Sequence, residues 1–163
     1  GIPTEASILD MVERAMPGRV QNVYAHSSGG GKFIAVIQFK KTVPSDEGRQ
    51  RQAALLAFSA FPELKQVILV DEDVDIFDTN DVLWAMTTRM QADVDIVTIP
   101  GVRCHPLDPS NDPACSWSIR DHGIACKTIY DATVPFNQKA RFQRAKFMEV
   151  DVKKFFPDFT VQD

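Results

Sequence analysis

Four acidic residues in one short stretch are the first candidates for chemistry. They are Asp71, Glu72, Asp73 and Asp75. They follow the apolar residues 67–70, and such carboxylates can bind a hard cation through their oxygens. The stretch lacks the glycine and the terminal glutamate of a calcium loop. The favoured interpretation is a turn from a strand to a helix, in which the acids stabilise the helix N-terminus and one of them pairs with Arg89. A metal hydrolase built on Asp71, Asp73 and Asp75 is the weaker alternative, because no histidine with ligand spacing accompanies them.

His105 is the second candidate. It lies between Cys104 and Pro106 in residues 100–121, where prolines, glycine and short polar residues interrupt any helix or strand pattern. A single histidine in a loop is most often only solvated. Its reference pKa near neutrality still makes His105 the best candidate here for acid–base chemistry or for binding a phenol. No serine–histidine–aspartate arrangement follows from the spacing.

The cysteines do not have the spacing of a zinc site. Cys104, Cys115 and Cys126 lie eleven positions apart, with His105 and His122 nearby, and the sequence contains no Cys-x-x-Cys pair. Structural zinc sites use closely spaced ligand pairs, so zinc is disfavoured. An odd number of cysteines without a secretory signal instead predicts free thiols in a reducing cytoplasm.

A glycine-rich turn has some features of a phosphate-binding loop. Residues 27–32 read Ser-Ser-Gly-Gly-Gly-Lys. Phe33 stands where a P-loop needs Ser or Thr, and the pattern that follows is that of a strand rather than a helix. The segment is therefore predicted to be the turn of a β-hairpin.

Composition narrows the class of protein. The chain has 163 residues, of which 44% are hydrophobic and 25% charged, as is typical of one soluble globular domain. The net charge of −4 gives no basic surface for nucleic acid, and the apolar runs are too short to span a membrane. The sequence begins at Gly1 without a Met and without a secretory signal. These features predict a processed chain or a fragment, located in the cytoplasm.

Hydrophobic periodicity predicts alternating helices and strands. The predicted strands are residues 20–26, 32–40, 65–70, 95–99 and 124–130. The predicted helices begin at Thr4, at Pro44 and at a cap formed by Asp78 or Thr79, and a weaker, charged one covers residues 139–146. The strand at residues 32–40 is apolar on both faces, which indicates a central position in the sheet. The order predicts a single α/β (α+β) domain with a mixed β-sheet flanked by helices.

Two further apolar patterns predict how parts of the chain pack. In the third helix, the residues expected to face inward are Val82, Leu83, Met86 and Met90. Near the C-terminus, residues 155–159 contain three phenylalanines and form an aromatic tail that would prefer to be covered by a partner.

Three segments together resemble the C-terminal domain of UbiD-type decarboxylases. They are residues 32–41 (KFIAVIQFKK), residues 67–89, which run from the acidic turn to Trp-Ala-x-Thr-Thr-Arg, and residues 123–133 (GIACKTIYDAT). The resemblance extends from Thr4 to about Asp131. It is specific, because the acidic turn and the Trp-Ala-x-Thr-Thr-Arg motif occur in the expected order.

The resemblance implies a reversible, non-oxidative decarboxylase of aromatic or α,β-unsaturated acids. Such enzymes use prenylated FMN with a divalent metal (Mn or Mg) and potassium. The family's catalytic Glu-Arg-Glu set and its metal ligands lie in a preceding cofactor domain, so none of these roles can be transferred to this chain. Residues 1–163 are therefore expected to form the C-terminal domain of a larger enzyme, inactive and free of flavin when isolated. The resemblance also implies a homodimer or higher homo-oligomer.

The resemblance also implies functional roles for the residues of one loop. Residues 103–107 (Arg-Cys-His-Pro-Leu) resemble the family's Arg-x-x-Pro-Leu loop, which closes over the substrate. This implies a catalytic role for His105 and substrate contacts for Arg103, Pro106 and Leu107. An imidazole can hydrogen-bond a ring hydroxyl, so His105 indicates a phenolic acid as the substrate. The alternative is a stand-alone, non-catalytic assembly or regulatory module with the same fold.

Overall fold

The computed structural model describes residues 1–111, 114, 123–145, 148 and 150–156. These residues form a sheet of five strands. The strands are β1 (Val20–Ala25), β2 (Ile34–Phe39), β3 (Gln66–Asp71), β4 (Ile96–Arg103) and β5 (Ile124–Ala132). Their order is β1-β2-β3-β5-β4, with β2, β3 and β5 parallel and with β1 and β4 antiparallel at the two ends. The predicted mixed sheet is confirmed.

Helices cover both faces of the sheet and enclose two cores. Helices α1 (Ile2–Ala15) and α2 (Arg49–Ala60) pack on one face. Helix α3 (Thr79–Arg89) packs on the other. Strand β2 contributes to both cores, with Ile37 buried in the first and Val36 in the second. Its predicted central position is therefore confirmed. In the described ranges, no helix is long and apolar enough to cross a bilayer.

The second helix begins later than the sequence pattern predicts. Residues Pro44–Asp46 form a separate 3-10 helix, and α2 starts only at Arg49. Gly48 lies between them with φ of 89°, a backbone conformation that interrupts a right-handed helix and that glycine adopts readily. The predicted start at Pro44 is therefore wrong.

Helix α3 has the predicted cap and, except for Leu83, the predicted inward face. The Asp78 side chain accepts a hydrogen bond from the Asn80 N–H, as the capping pattern predicts. Leu83, however, is 51% exposed, while Arg89 is buried. The buried residues of the helix are Val82, Ala85 and Arg89. Val82 is buried and Met86 and Met90 pack against the core as predicted, so Leu83 alone of the four expected residues is misplaced. Arg89 also turns inward, where it binds the buried Asp71 and the half-exposed Asp73.

The region around β4 and the C-terminal segment also differ from the predictions. A short helix, α4 (Ala92–Asp95), precedes β4, and β4 continues through Pro100 to Arg103 with a register irregularity between Ile99 and Val102. A 3-10 helix at Phe136–Arg141 replaces the helix expected at residues 139–146. A four-residue helix, α5 (Val152–Phe155), follows. Phe155 and Phe156 are exposed, whereas residues 157–159 of the aromatic tail lie outside the described part of the chain.

The sheet separates the two regions that the sequence singles out. The acidic turn follows the carboxyl end of β3. The loop at residues 103–108 follows β4, which is antiparallel to β5, so it lies at the opposite edge, where the parallel strands begin. A six-residue strand rises about 3.3 Å per residue, which places the two regions about 20 Å apart. They cannot act on one small substrate within this domain.

Candidate functional site

At the carboxyl edge, Arg89 joins two acids of the turn. Its Nη1 lies 3.0 Å from Asp71 Oδ2 and 2.8 Å from Asp73 Oδ1, and its Nη2 lies 2.6 Å from Asp73 Oδ2. Burial raises the pKa of Asp71 to about 6, and the N–H of Val134 and the charge of Arg89 offset this only in part. The hydrogen bonds from Arg89 hold the pKa of Asp73 below its ordinary value. The predicted ion pair is confirmed.

The other acids of the turn are also engaged in structural contacts. Lys139 Nζ lies 2.9 Å from Glu72 Oε1, and Asp75 Oδ1 accepts the Phe77 N–H. Arg144 lies over the ring of Trp84, 4.2 Å from its centroid. Within the described ranges, no group of three or more His, Cys, Asp or Glu side chains is placed to hold a metal ion. These contacts support the structural interpretation of the turn. Asp73, Glu72 and Lys139 also line a cavity of about 160 Å³.

At the opposite edge, backbone contacts fix His105. Its Nδ1 accepts the Leu107 N–H at 3.1 Å, and its carbonyl accepts from the Asp108 N–H and from Asn111 Nδ2. The ring meets Phe33 edge-on, with the centroids 6.0 Å apart. With Nδ1 serving as an acceptor, the neutral imidazole carries its proton on Nε2.

The remaining residues of the loop are displayed at the surface. Arg103 ends β4 and is exposed, Pro106 is exposed, and Leu107 is 81% exposed. Gly123 approaches closely, since a Cβ there would lie 3.0 Å from Arg103 Nη1. The structure thus brings His105 and Leu107 into one turn. Their contacts with a substrate stay a prediction.

The turn after α2 is the part of this region that sequence reasoning missed. Three consecutive carbonyls are bound by donors from distant strands: Lys127 Nζ donates to Pro62 O and Leu64 O, and Cys104 Sγ donates to Glu63 O. Lys127 is 1% exposed, and burial lowers the pKa of its ammonium. No local sequence pattern predicts these contacts, because the partners of Lys127 lie more than sixty positions away in the chain.

A charged contact anchors the far end of the loop. Lys65 Nζ lies 2.9 Å from Asp108 Oδ2 and also binds Ser110 Oγ. Burial opposes the charge of Asp108, but these hydrogen bonds from Lys65 and Ser110 keep its pKa below the ordinary value. Together with Phe33 and Ser28, Lys65 and Asp108 line a cavity of about 260 Å³ next to the loop.

Sequence comparison identifies the family of this domain. Residues 1–132 match the family described as the 3-octaprenyl-4-hydroxybenzoate carboxy-lyase C-terminal domain. The chain belongs to this UbiD family. It is 60% identical over 151 residues to the gallate decarboxylase of Lactiplantibacillus plantarum, a match that covers 92% of the chain and 31% of that enzyme. The anhydromevalonate phosphate decarboxylase of Aeropyrum pernix is 40% identical over 146 residues, which cover 90% of the chain and 30% of that enzyme.

Solved structures give the same result. The apo 3,4-dihydroxybenzoic acid decarboxylase of Enterobacter cloacae is 64% identical, with a TM-score of 0.89 over 97% of this chain and 32% of that one. A UbiD-class enzyme of Pelotomaculum thermopropionicum in complex with FMN is 33% identical, with a TM-score of 0.81 over 98% of this chain and 33% of that one. The fold is therefore that of UbiD-class enzymes, and the chain spans about a third of the length of these relatives.

Proposed function

We propose that the chain is the C-terminal domain of a larger UbiD-type enzyme that decarboxylates hydroxylated benzoic acids reversibly and without net oxidation. The observation that carries this proposal is the 60% identity with a gallate decarboxylase, which extends over 92% of the chain. The 64% identity with a 3,4-dihydroxybenzoic acid decarboxylase supports the same substrate class. In this proposal, a separate cofactor domain supplies the reacting centre.

The domain's contribution to the substrate pocket is the loop at residues 103–107. His105 is the residue that hydrogen-bonds a ring hydroxyl, because its Nδ1 is occupied and its Nε2–H is the remaining donor. Arg103, Pro106 and Leu107 form the surrounding contacts. The exposure of Leu107 supports this assignment, since a large apolar side chain that is 81% exposed gains most from being covered by an apolar ring.

The flavin and metal are assigned to the missing domain. The described residues contain no metal-binding group, and the acids at the carboxyl edge are paired with Arg89, Lys139 and Arg144. In this proposal, prenylated FMN, the divalent metal (Mn or Mg) and potassium are all held by that other domain. When bound elsewhere in the enzyme, the flavin supplies an acceptor for electron density as carbon dioxide leaves. The part that falls to this domain is to bind and orient the aromatic ring.

A second role is assembly into a homodimer or higher homo-oligomer. Exposed apolar side chains on and near α3 support it, because such a group is normally covered. They include Phe77 at 60% exposure, Leu83 at 51% and Trp84 at 37%. Phe155 and Phe156 add a second exposed apolar group near the C-terminal end.

The experiment that tests the proposal uses the complete enzyme that contains this chain, loaded with prenylated FMN. Release of carbon dioxide is measured with 3,4-dihydroxybenzoate, gallate, benzoate and cinnamate. We expect turnover of the two hydroxylated acids and little of the others. Turnover confined to cinnamate or benzoate would contradict the substrate class, and no release from any aromatic acid would contradict the proposal itself.

A further inference from the structure

Glu63 is an acidic residue beside His105 that the proposed mechanism does not yet use. Its Oε1 lies 3.8 Å from His105 Nε2, and its side chain is 35% exposed. Its Oε2 is buried and lies 3.4 Å from Lys32 Nζ, with no hydrogen-bond partner in the described part of the chain. The carboxylate therefore keeps the capacity to accept hydrogen bonds from a ligand.

The two groups differ in what they offer a ligand. His105 presents a donor, the Nε2–H, because its Nδ1 accepts the Leu107 N–H. Glu63 presents acceptors only. The distance of 3.8 Å is longer than a direct hydrogen bond, which spans about 2.9 Å, so donor and acceptor stand side by side rather than satisfying each other.

We propose that Glu63 and His105 together recognise two adjacent phenolic hydroxyls of the substrate. This inference rests on the proposed function and narrows its substrate class to acids with vicinal hydroxyls. One hydroxyl oxygen accepts the Nε2–H of His105, and the neighbouring hydroxyl donates to the Glu63 carboxylate. No proton is transferred and no bond is made or broken in this step, so the pair determines binding and orientation.

The backbone around Glu63 is fixed in a way that suits such a role. Lys127 binds the carbonyls on both sides of Glu63, and Cys104 binds the carbonyl of Glu63 itself. Cys104 also directly precedes His105, so the same thiol ties the two recognition residues together. A site whose supporting backbone is already ordered loses less conformational entropy when the ligand binds.

The test compares a ligand that can donate hydrogen bonds with one that can only accept them. Affinities of the complete, flavin-loaded enzyme for catechol and for 1,2-dimethoxybenzene, in which both hydroxyls are capped, are measured by calorimetry. In E63Q we expect the affinity for catechol to fall about tenfold, because a hydrogen bond to a charged acceptor is replaced by a weaker one. The affinity for 1,2-dimethoxybenzene should change less than about twofold, since it has no hydroxyl to donate to Glu63.

Two further variants keep the result interpretable. K32Q removes the other ionic partner of Glu63 but leaves its carboxylate, so the preference for catechol should persist. E63D keeps the charge but moves it back by one methylene, so the preference for catechol should be lost as in E63Q. Agreement between the two variants shows that the loss does not come from misfolding of one of them. Equal losses for both ligands in E63Q and E63D, or no loss in either, would overturn the inference. Wild-type enzyme that decarboxylates no hydroxylated benzoate would instead contradict the proposed function.

Discussion

At the scale of single residues, contacts with neighbouring residues fix the orientation of the His105 ring. The Leu107 N–H occupies Nδ1, and Phe33 lies against the ring edge. These contacts hold the Nε2–H tautomer and limit rotation of the ring. A phenolic oxygen would then meet a donor that is already oriented, and Phe at the same position would offer it none.

Replacing His105 with Phe in the complete enzyme tests this role. We expect kcat/KM for 3,4-dihydroxybenzoate to fall about tenfold or more, because a buried hydroxyl loses its partner. Steady-state rates for hydroxylated and unsubstituted acids measure the effect. Equal losses of kcat/KM for both types of acid would show that His105 does not recognise the ring hydroxyl.

Asp71 predicts a pH effect on the stability of the domain. Its carboxyl has a pKa of about 6 in the folded chain against 3.8 ordinarily, so the folded state holds the proton more tightly than the unfolded state. The contribution is therefore present at low pH and is lost as the pH rises from about 4 through about 6.

A comparison with D71N isolates this contribution from those of other acids. Between about pH 4 and pH 7, the free energy of unfolding of the wild-type chain should fall by about 2 kcal/mol relative to D71N. Urea unfolding at a series of pH values measures it. A difference that does not change with pH would show that Asp71 titrates alike in both states. The variant is needed because the pKa of Asp73 and of Asp108 is lowered, which gives the opposite trend.

At the scale of elements, Arg89 fastens the C-terminal end of α3 to the end of β3. The Asp78 cap fixes the other end of the helix. Because Arg89 is 9% exposed and contacts both Asp71 and Asp73, the helix is held by a buried ion pair as well as by its apolar face. This explains why α3 turns Leu83 outward.

The variant R89M tests the importance of this connection. Removing one partner of a buried pair leaves Asp71 without its cation, and the free energy of unfolding should fall by about 3 to 5 kcal/mol. The matched control is R144Q, because the Arg144 side chain is 37% exposed and pairs with Asp73 and Asp81 at the surface. That change should cost less than about 1 kcal/mol. Similar losses in both variants, measured by urea unfolding, would contradict the assignment.

At the scale of the whole molecule, the two edges of the sheet differ in their side-chain contacts. The carboxyl edge is closed by ion pairs, whereas the loop with His105 and the exposed Leu107 lies at the other edge. The chain spans about a third of the length of its relatives, and one solved UbiD-class relative is in complex with FMN. In the proposed function, this domain shapes a substrate pocket whose reactive group comes from a separate domain.

This division predicts how the isolated chain behaves. The chain alone should show no tight binding of flavin and no release of carbon dioxide, because the described residues provide neither a metal group nor a free acidic cluster. Fluorescence titration with FMN and a carbon dioxide assay check both points, with the complete enzyme as the positive control. Tight binding of flavin by the isolated chain would contradict the assignment of the cofactor to another domain.

The sequence by itself determined the features that depend on neighbouring residues. The strand positions, the central place of β2, the Asp78 cap and the hairpin turn all follow from local pattern, and the structure confirms them. The ion pair of Arg89 was also predictable, because a single arginine follows the acidic cluster along one helix.

Only the tertiary structure decided the surroundings of His105. Glu63 reaches it across forty-two positions, and Lys127 reaches the Glu63 turn from β5. The same holds for Arg89 of α3, which the tertiary structure buries beside Asp71 in addition to the predicted apolar residues of the helix. Periodicity reports which residues prefer to be buried, but contacts between distant segments depend on how strands pair in the sheet, and no local pattern encodes that pairing.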